Sequence, residues 1–130
     1  MDLTVNLEDI LLFIDTYKPS VFCLVETWLS RECPSSIFLP NDYFAVRWDR
    51  EARGGGVALV LKKTLNSKII PSPAGLSDIE ACCVDIRTAG VTLRIIAYYR
   101  PGGTVIKHSS MLKIVFDAYS NYVTQKIQYA

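Results

Sequence analysis

The sequence predicts a single α/β domain, residues 1–130, in which a mixed or mainly antiparallel sheet is covered by helices. Three observations support this fold class. A segment with helical periodicity stands near each end of the chain, apolar runs rich in β-branched residues lie between them, and short Gly-containing turns join those runs in pairs. The length of 130 residues and mass of 14.6 kDa suit one domain and leave little room for two.

Two helices are predicted from the spacing of apolar residues. The first is marked by apolar positions at i, i+3, i+4 and i+7, namely Leu7, Ile10, Leu11 and Ile14. Asn6 can cap this helix, since its side chain accepts a backbone N–H, and Pro19 ends it. The second helix closes the chain at 111–129, with an apolar stripe formed by Leu112, Val115, Phe116, Tyr119, Val123 and Ile127.

Five strands are predicted between the helices. The short apolar run VFCLVE at 21–26 predicts a strand that is buried on both faces. YFAVRW at 43–48 and GVALVLKK at 56–63 flank a Gly-rich turn and predict a hairpin. IEACCVDI at 79–86 and VTLRIIAYY at 91–99 flank the turn RTAG and predict a second hairpin.

Composition excludes several classes of protein. Charged residues make up 21% of the chain and the formal net charge is +1, which excludes a strongly basic nucleic-acid coat protein and an acidic tail. No apolar run approaches the roughly 20 residues of a membrane span, so we expect no membrane partner. The acidic N-terminal segment is unlike a signal peptide and predicts an intracellular protein, nuclear or cytoplasmic and not secreted. Four cysteines without a CxxC motif and one histidine favour free thiols over a zinc cluster.

Basic residues concentrate in the middle of the chain. Residues 44–70 hold six bases and two acids, a net charge of +4. Arg50, Arg53 and Lys62 are our candidates there for contact with phosphate or nucleic acid. The alternative is a solvated hairpin rim. The run Arg53-Gly54-Gly55-Gly56 matches neither phosphate-binding glycine motif and is better explained as a tight turn with positive φ.

Two strand ends carry the residues with the clearest chemistry. Glu26 ends an apolar strand, where α/β sheets place ligands, and its carboxylate could hold Mg²⁺. The alternative is an acid paired with a nearby arginine. Tyr99 and Arg100 end another apolar strand before Pro101 and could contact phosphate. The alternative is a strand terminus whose aromatic ring packs on the core.

The ordered set of KPSVFCLVETWLS, RWDREARGGGVALVLKK and RIIAYYRPGG resembles the endonuclease/exonuclease/phosphatase superfamily. The variety that it resembles is the one that non-LTR retrotransposons carry beside their reverse transcriptase. The similarity runs from about Leu7 to Gly103, and the helix at 111–129 fits it. The resemblance implies a four-layer α/β sandwich and hydrolysis of phosphoesters with Mg²⁺ or Mn²⁺. It also implies DNA as the partner, because the retrotransposon members nick target DNA.

The resemblance assigns roles to individual residues. Glu26 is similar to the family's metal-binding glutamate, and Tyr99 to its catalytic tyrosine at the scissile phosphate. Arg100 and Pro101 match the pattern Tyr-Arg-Pro-Pro, with Gly102 in place of the second proline.

The sequence also departs from the family. No Asn-bearing first strand precedes Val5, no Gly-Asp-Phe-Asn motif follows the last helix, and no Asp precedes His108. We therefore expect a partial domain, an N-terminal half with the second sheet missing. Such a fragment would be catalytically silent, would bind Mg²⁺ or Mn²⁺ weakly or not at all, and would self-associate through its uncovered sheet face. The alternative is a non-catalytic module of this fold that binds nucleic acid or protein.

Overall fold

The computed structural model describes residues 7–50, 54–73, 79–99 and 108–129, with the backbone alone for residues 108 and 120–129. The helices are α1 (Leu7–Tyr17) and α2 (His108–Tyr129), and a 3₁₀ turn spans Ser35–Ile37. The strands are β1 (Val21–Val25), β2 (Tyr43–Trp48), β3 (Val57–Lys62), β4 (Ser67–Ile70), β5 (Glu80–Thr88) and β6 (Val91–Tyr99).

The strands form two antiparallel sheets of three. The first sheet has the order β1-β3-β2 and the second has the order β4-β5-β6. Both predicted hairpins are confirmed, because Trp48 pairs with Val57 in one and Glu80 pairs with Tyr99 in the other. Every strand pairing in the described residues is antiparallel, so the sheets are not mixed.

The two sheets pack face to face and the helices cover their outer sides. The layer between the sheets is built from alternate residues of β3 and β5 with their neighbours, including Val57, Leu59, Leu61, Cys82, Val84 and Ile86. Ile10 and Ile14 of α1 pack on the other side of the first sheet, around Val60. Met111 and Val115 of α2 pack on the second sheet. The predicted α/β sandwich of four layers is confirmed.

The prediction that the second sheet is missing is wrong. The sequence reading missed β4, the segment SKII at 67–70, which pairs with β5. The turn after Lys62 carries the chain from the first sheet to the second, so the strands expected in one sheet divide between two. Because the inner faces bury each other, the uncovered face on which we based self-association is covered in this fold.

The prediction that β1 is buried on both faces is also wrong. β1 pairs with β3 on one side and lies at the edge of the first sheet, which leaves Cys23 exposed and Val25 49% exposed. The strand with this burial is β3, whose residues 57–61 are at most 1% exposed. No helix in the described ranges is long and apolar enough to cross a membrane.

The four cysteines are free, and two of them make the fold sensitive to alkali. Burial raises the pKa of the Cys82 and Cys83 thiols to about 12. In the unfolded chain these thiols lose their protons near pH 8.5, roughly the ordinary value. Between the two values the folded chain binds more protons, so the free energy of unfolding falls as the pH rises.

We therefore expect stability to decline from about pH 8.5 upward, by at most about 1.4 kcal/mol per pH unit for each thiol. Urea unfolding at a series of alkaline pH values measures this slope. Cys82→Ala should make the decline shallower. A free energy of unfolding that stays constant over this range would contradict the burial of these thiols.

Candidate functional site

Five chain segments meet at one end of the sandwich. Glu26 follows β1, Arg50 follows β2, Gly56 precedes β3, Glu80 begins β5 and Tyr99 ends β6. The antiparallel registers produce this meeting, because they place the start of β3 opposite the end of β1 and the start of β5 opposite the end of β6. We call this set, with Thr27, Trp28, Gly54 and Gly55, the site end.

Glu26 and Tyr99 join the two sheets by a hydrogen bond. The Tyr99 hydroxyl donates to Oε1 of Glu26, a residue 73 positions earlier in the chain. This bond raises the pKa of Tyr99 above its ordinary value, and desolvation raises it further. The phenol therefore stays protonated at neutral pH and can act as a donor. Its ring also packs against the core between the sheets, which agrees with the structural interpretation of Tyr99.

A second link between the sheets is made by Glu80, whose side chain is 5% exposed. Its Oε1 accepts the Gly56 backbone N–H at 2.7 Å, and its Oε2 accepts Nη2 of Arg50 at 2.9 Å. The hydrogen bond that Arg50 donates to Glu80 raises the pKa of Arg50, and the charge of Glu26 acts in the same direction. Arg50 thus forms its ion pair with Glu80, whereas the Glu26 carboxylate accepts a hydrogen bond from the Tyr99 hydroxyl.

The backbone at the site end adopts unusual conformations. Glu26 and Trp28 both have φ +54°, a region that costs non-glycine residues conformational energy. The Trp28 N–H donates to the Gly55 carbonyl at 2.9 Å, which ties this segment to the glycine turn. Gly54, Gly55 and Gly56 all have positive φ, which confirms the positive φ predicted for the glycine run.

The predicted basic residues are not all brought to the site end. Arg50 is there, with a side chain that is 31% exposed. Lys62 lies at the opposite end of β3, about 17 Å away along the strand, and lines a cleft with Asp15 and Asp42. Arg53 and Arg100 lie outside the described residues.

Arg47, another base of the same stretch, has a structural role. Its guanidinium donates to the carbonyls of Cys33 and Ser30, at 2.7 and 3.0 Å, and pairs with Asp49 at 2.8 Å. These bonds organise the loop around residues 30–35, so this arginine does not contribute to a basic surface.

A polar cleft of about 230 Å³ opens beside Arg50. The residues that line it are Ser30, Arg31, Glu32, Asp49 and Arg50. Arg50 therefore pairs with Glu80 and also lines this cleft, together with one more base, Arg31, and two acids. A phosphate-sized anion fits in this space.

The described residues offer few ligands for a cation. They contain no group of three or more His, Cys, Asp and Glu side chains arranged to hold a metal. Glu26 supplies one carboxylate, whereas both oxygens of Glu80 accept hydrogen bonds. Mg²⁺ binds through one or two carboxylates with water and phosphate oxygens completing its shell, so a cation at Glu26 would need those further ligands.

Sequence reasoning missed Glu80. Its signal was an acidic residue at the start of an apolar strand, IEACCVDI, whose hairpin register sets it opposite Tyr99. No protein-family model and no curated protein matches this chain.

Proposed function

We propose that the site end is the metal-holding and phosphate-holding part of a metal-dependent phosphodiesterase, a DNA endonuclease of the retrotransposon type. The observation that carries this proposal is the hydrogen bond between Glu26 and Tyr99. The sequence predicts one of these residues as a cation ligand and the other as a phosphate contact, and they meet across two sheets although 73 positions separate them. A carboxylate and a phenol in contact can engage one small ligand together.

Each residue of the site end has a chemical task in this proposal. The Glu26 carboxylate would hold Mg²⁺ or Mn²⁺, which when bound supplies positive charge at a phosphoryl oxygen. The protonated Tyr99 hydroxyl would donate to a phosphate oxygen in place of Glu26. The guanidinium of Arg50 borders the polar cleft and would attract the phosphodiester backbone.

Hydrolysis also needs a base that activates water. Both oxygens of Glu80 already accept hydrogen bonds, and Glu26 is assigned to the cation. Within the described residues, no further carboxylate or histidine joins these two in a metal-binding cluster. Neither carboxylate is left to act as that base, so we propose that the site end binds phosphodiesters without itself cleaving them.

The test uses a fluorescein-labelled oligonucleotide for binding and supercoiled plasmid for nicking. We expect the affinity for the oligonucleotide to rise when Mg²⁺ is added, because the cation would bridge Glu26 and phosphate. Chelation of the Mg²⁺ should lower the affinity to its initial value. No chelator-sensitive nicking is expected. An affinity for the oligonucleotide that does not change with Mg²⁺ would refute the proposed site. Nicking that Glu26→Ala abolishes would refute the absence of cleavage while supporting the site.

The second candidate is a non-catalytic module that binds nucleic acid. It is favoured by one observation, the partly exposed Arg50 guanidinium at the polar cleft. Oligonucleotide binding would then weaken with salt, would not respond to Mg²⁺ and would fall in Arg50→Gln. Dependence on Mg²⁺ thus separates the two candidates in one titration.

A further inference from the structure

Glu80 is the one charged side chain that is buried among those the structure describes. A buried carboxylate is costly unless its oxygens are paired and hydrogen-bonded. Both of its partners, the Gly56 amide and the Arg50 guanidinium, belong to the site end. Neither partner lies in its own sheet, because Glu80 begins β5 in the second sheet while Arg50 and Gly56 flank strands of the first.

We propose that Glu80 is a positioning residue that fixes the Arg50 guanidinium and the glycine turn in the geometry that binds phosphate. This inference rests on the proposed function, since it assigns Glu80 to the same site. Glu80 acts through Arg50 and need not touch the ligand. Its cross-strand partner Tyr99 makes a second link of this kind, to Glu26. Two neighbouring side chains of the second sheet thus position two side chains of the first sheet.

The glycine turn is built closely around this ion pair. A Cβ added to Gly55 would lie 2.3 Å from Oε1 of Glu80 and 2.4 Å from Nη2 of Arg50. The turn thus leaves no room for a side chain where the ion pair lies. The Gly55 carbonyl in turn accepts the Trp28 N–H, two residues from Glu26. A continuous chain of contacts therefore runs from Glu80 to the proposed cation ligand.

Glutamine at position 80 has nearly the shape of glutamate but replaces one acceptor oxygen by a donor. Its side chain is neutral and has a single acceptor oxygen, so it cannot accept hydrogen bonds from both Arg50 and Gly56. One of these two groups therefore loses its partner. Hydrogen bonds to charged groups contribute enough that we expect Glu80→Gln to weaken phosphate binding about tenfold. Asp15→Asn is the control, because it removes an exposed carboxylate at the opposite end of the first sheet, in the cleft with Lys62.

The experiment is a titration of the ¹⁵N-labelled 130-residue chain with inorganic phosphate in the presence of Mg²⁺. The signals followed are the Gly56 amide and the Arg50 Nε–H. A double-mutant cycle with Arg50→Met isolates the path of the effect. If Glu80 acts through Arg50, Glu80→Gln weakens binding in the wild type but not in the Arg50→Met background. An equal loss in both backgrounds, or no loss in either, would overturn the inference.

The spectra separate this inference from the proposed function. Failure of the wild type to bind phosphate refutes the proposed function, but the two signals still report on positioning. In Glu80→Gln we expect the Gly56 amide to shift and the Arg50 Nε–H to exchange faster with water. Unchanged signals would show that Glu80 does not position these groups. Should Glu80→Gln not fold, Glu80→Asp, which keeps the charge on a shorter side chain, gives the same comparison.

Discussion

Replacement of Gly56 by alanine is expected to lower the free energy of unfolding by about 2–4 kcal/mol. Gly56 has φ +95°, a conformation that L side chains rarely adopt. A Cβ there would lie 2.4 Å from Oγ1 of Thr27, a side chain that is 1% exposed and has little room to move. Backbone strain and overpacking therefore both lower the free energy of unfolding of this variant. Urea unfolding measures the change.

Gly90→Ala is the matched control for this substitution. Gly90 also has positive φ, +79°, but a Cβ there would meet nothing within 4 Å. It should therefore cost about 1 kcal/mol, the conformational part alone. Adding Thr27→Ala to Gly56→Ala should recover part of the loss, because the clashing hydroxyl is gone. Equal losses for the two glycine variants would show that the site end is less closely packed than described.

The largest functional effect is expected from Glu26→Gln. Removing the carboxylate charge while keeping the shape should reduce Mn²⁺ affinity, measured with the labelled oligonucleotide present, by at least about tenfold. Electron paramagnetic resonance of free Mn²⁺ gives the affinity directly. Tyr99→Phe removes the hydroxyl that donates a hydrogen bond to Glu26. It should change metal affinity much less, because the cation ligand remains.

Asp15→Asn again serves as the control, since it removes an exposed carboxylate at the opposite end of the first sheet with the same change of net charge. Its Mn²⁺ affinity should stay close to that of the wild type. A loss equal to that of Glu26→Gln would mean that the cation responds to the net charge of the protein and not to a specific ligand.

Local patterns predicted the elements that depend on nearby residues. The periodicity of Leu7, Ile10 and Ile14 marked α1, and the two hairpins followed from their turns. The segment SKII was missed because its two central residues, Lys68 and Ile69, are exposed and it is too short to show a pattern. The burial of β1 was overpredicted because an apolar run does not reveal whether a strand is central or at an edge.

The site shows the same division. Glu26 and Tyr99 were found because each stands at the end of an apolar run, a local signal. Their contact across the two sheets, and the bonds of Glu80 to Arg50 and Gly56, depend on how the sheets face each other. No spacing in the sequence encodes that arrangement. For the same reason Lys62 was grouped with Arg50, although β3 holds it at the far end.

The most direct test of the account is the position of Mn²⁺ on the ¹⁵N-labelled chain with the oligonucleotide bound. Paramagnetic broadening falls steeply with distance, so it maps the cation onto individual amides. The account predicts that the broadening is strongest at Glu26 and Tyr99, weak at Lys62, and lost in Glu26→Gln. Broadening centred on another part of the chain, or persisting unchanged in Glu26→Gln, would contradict a cation site between the two sheets.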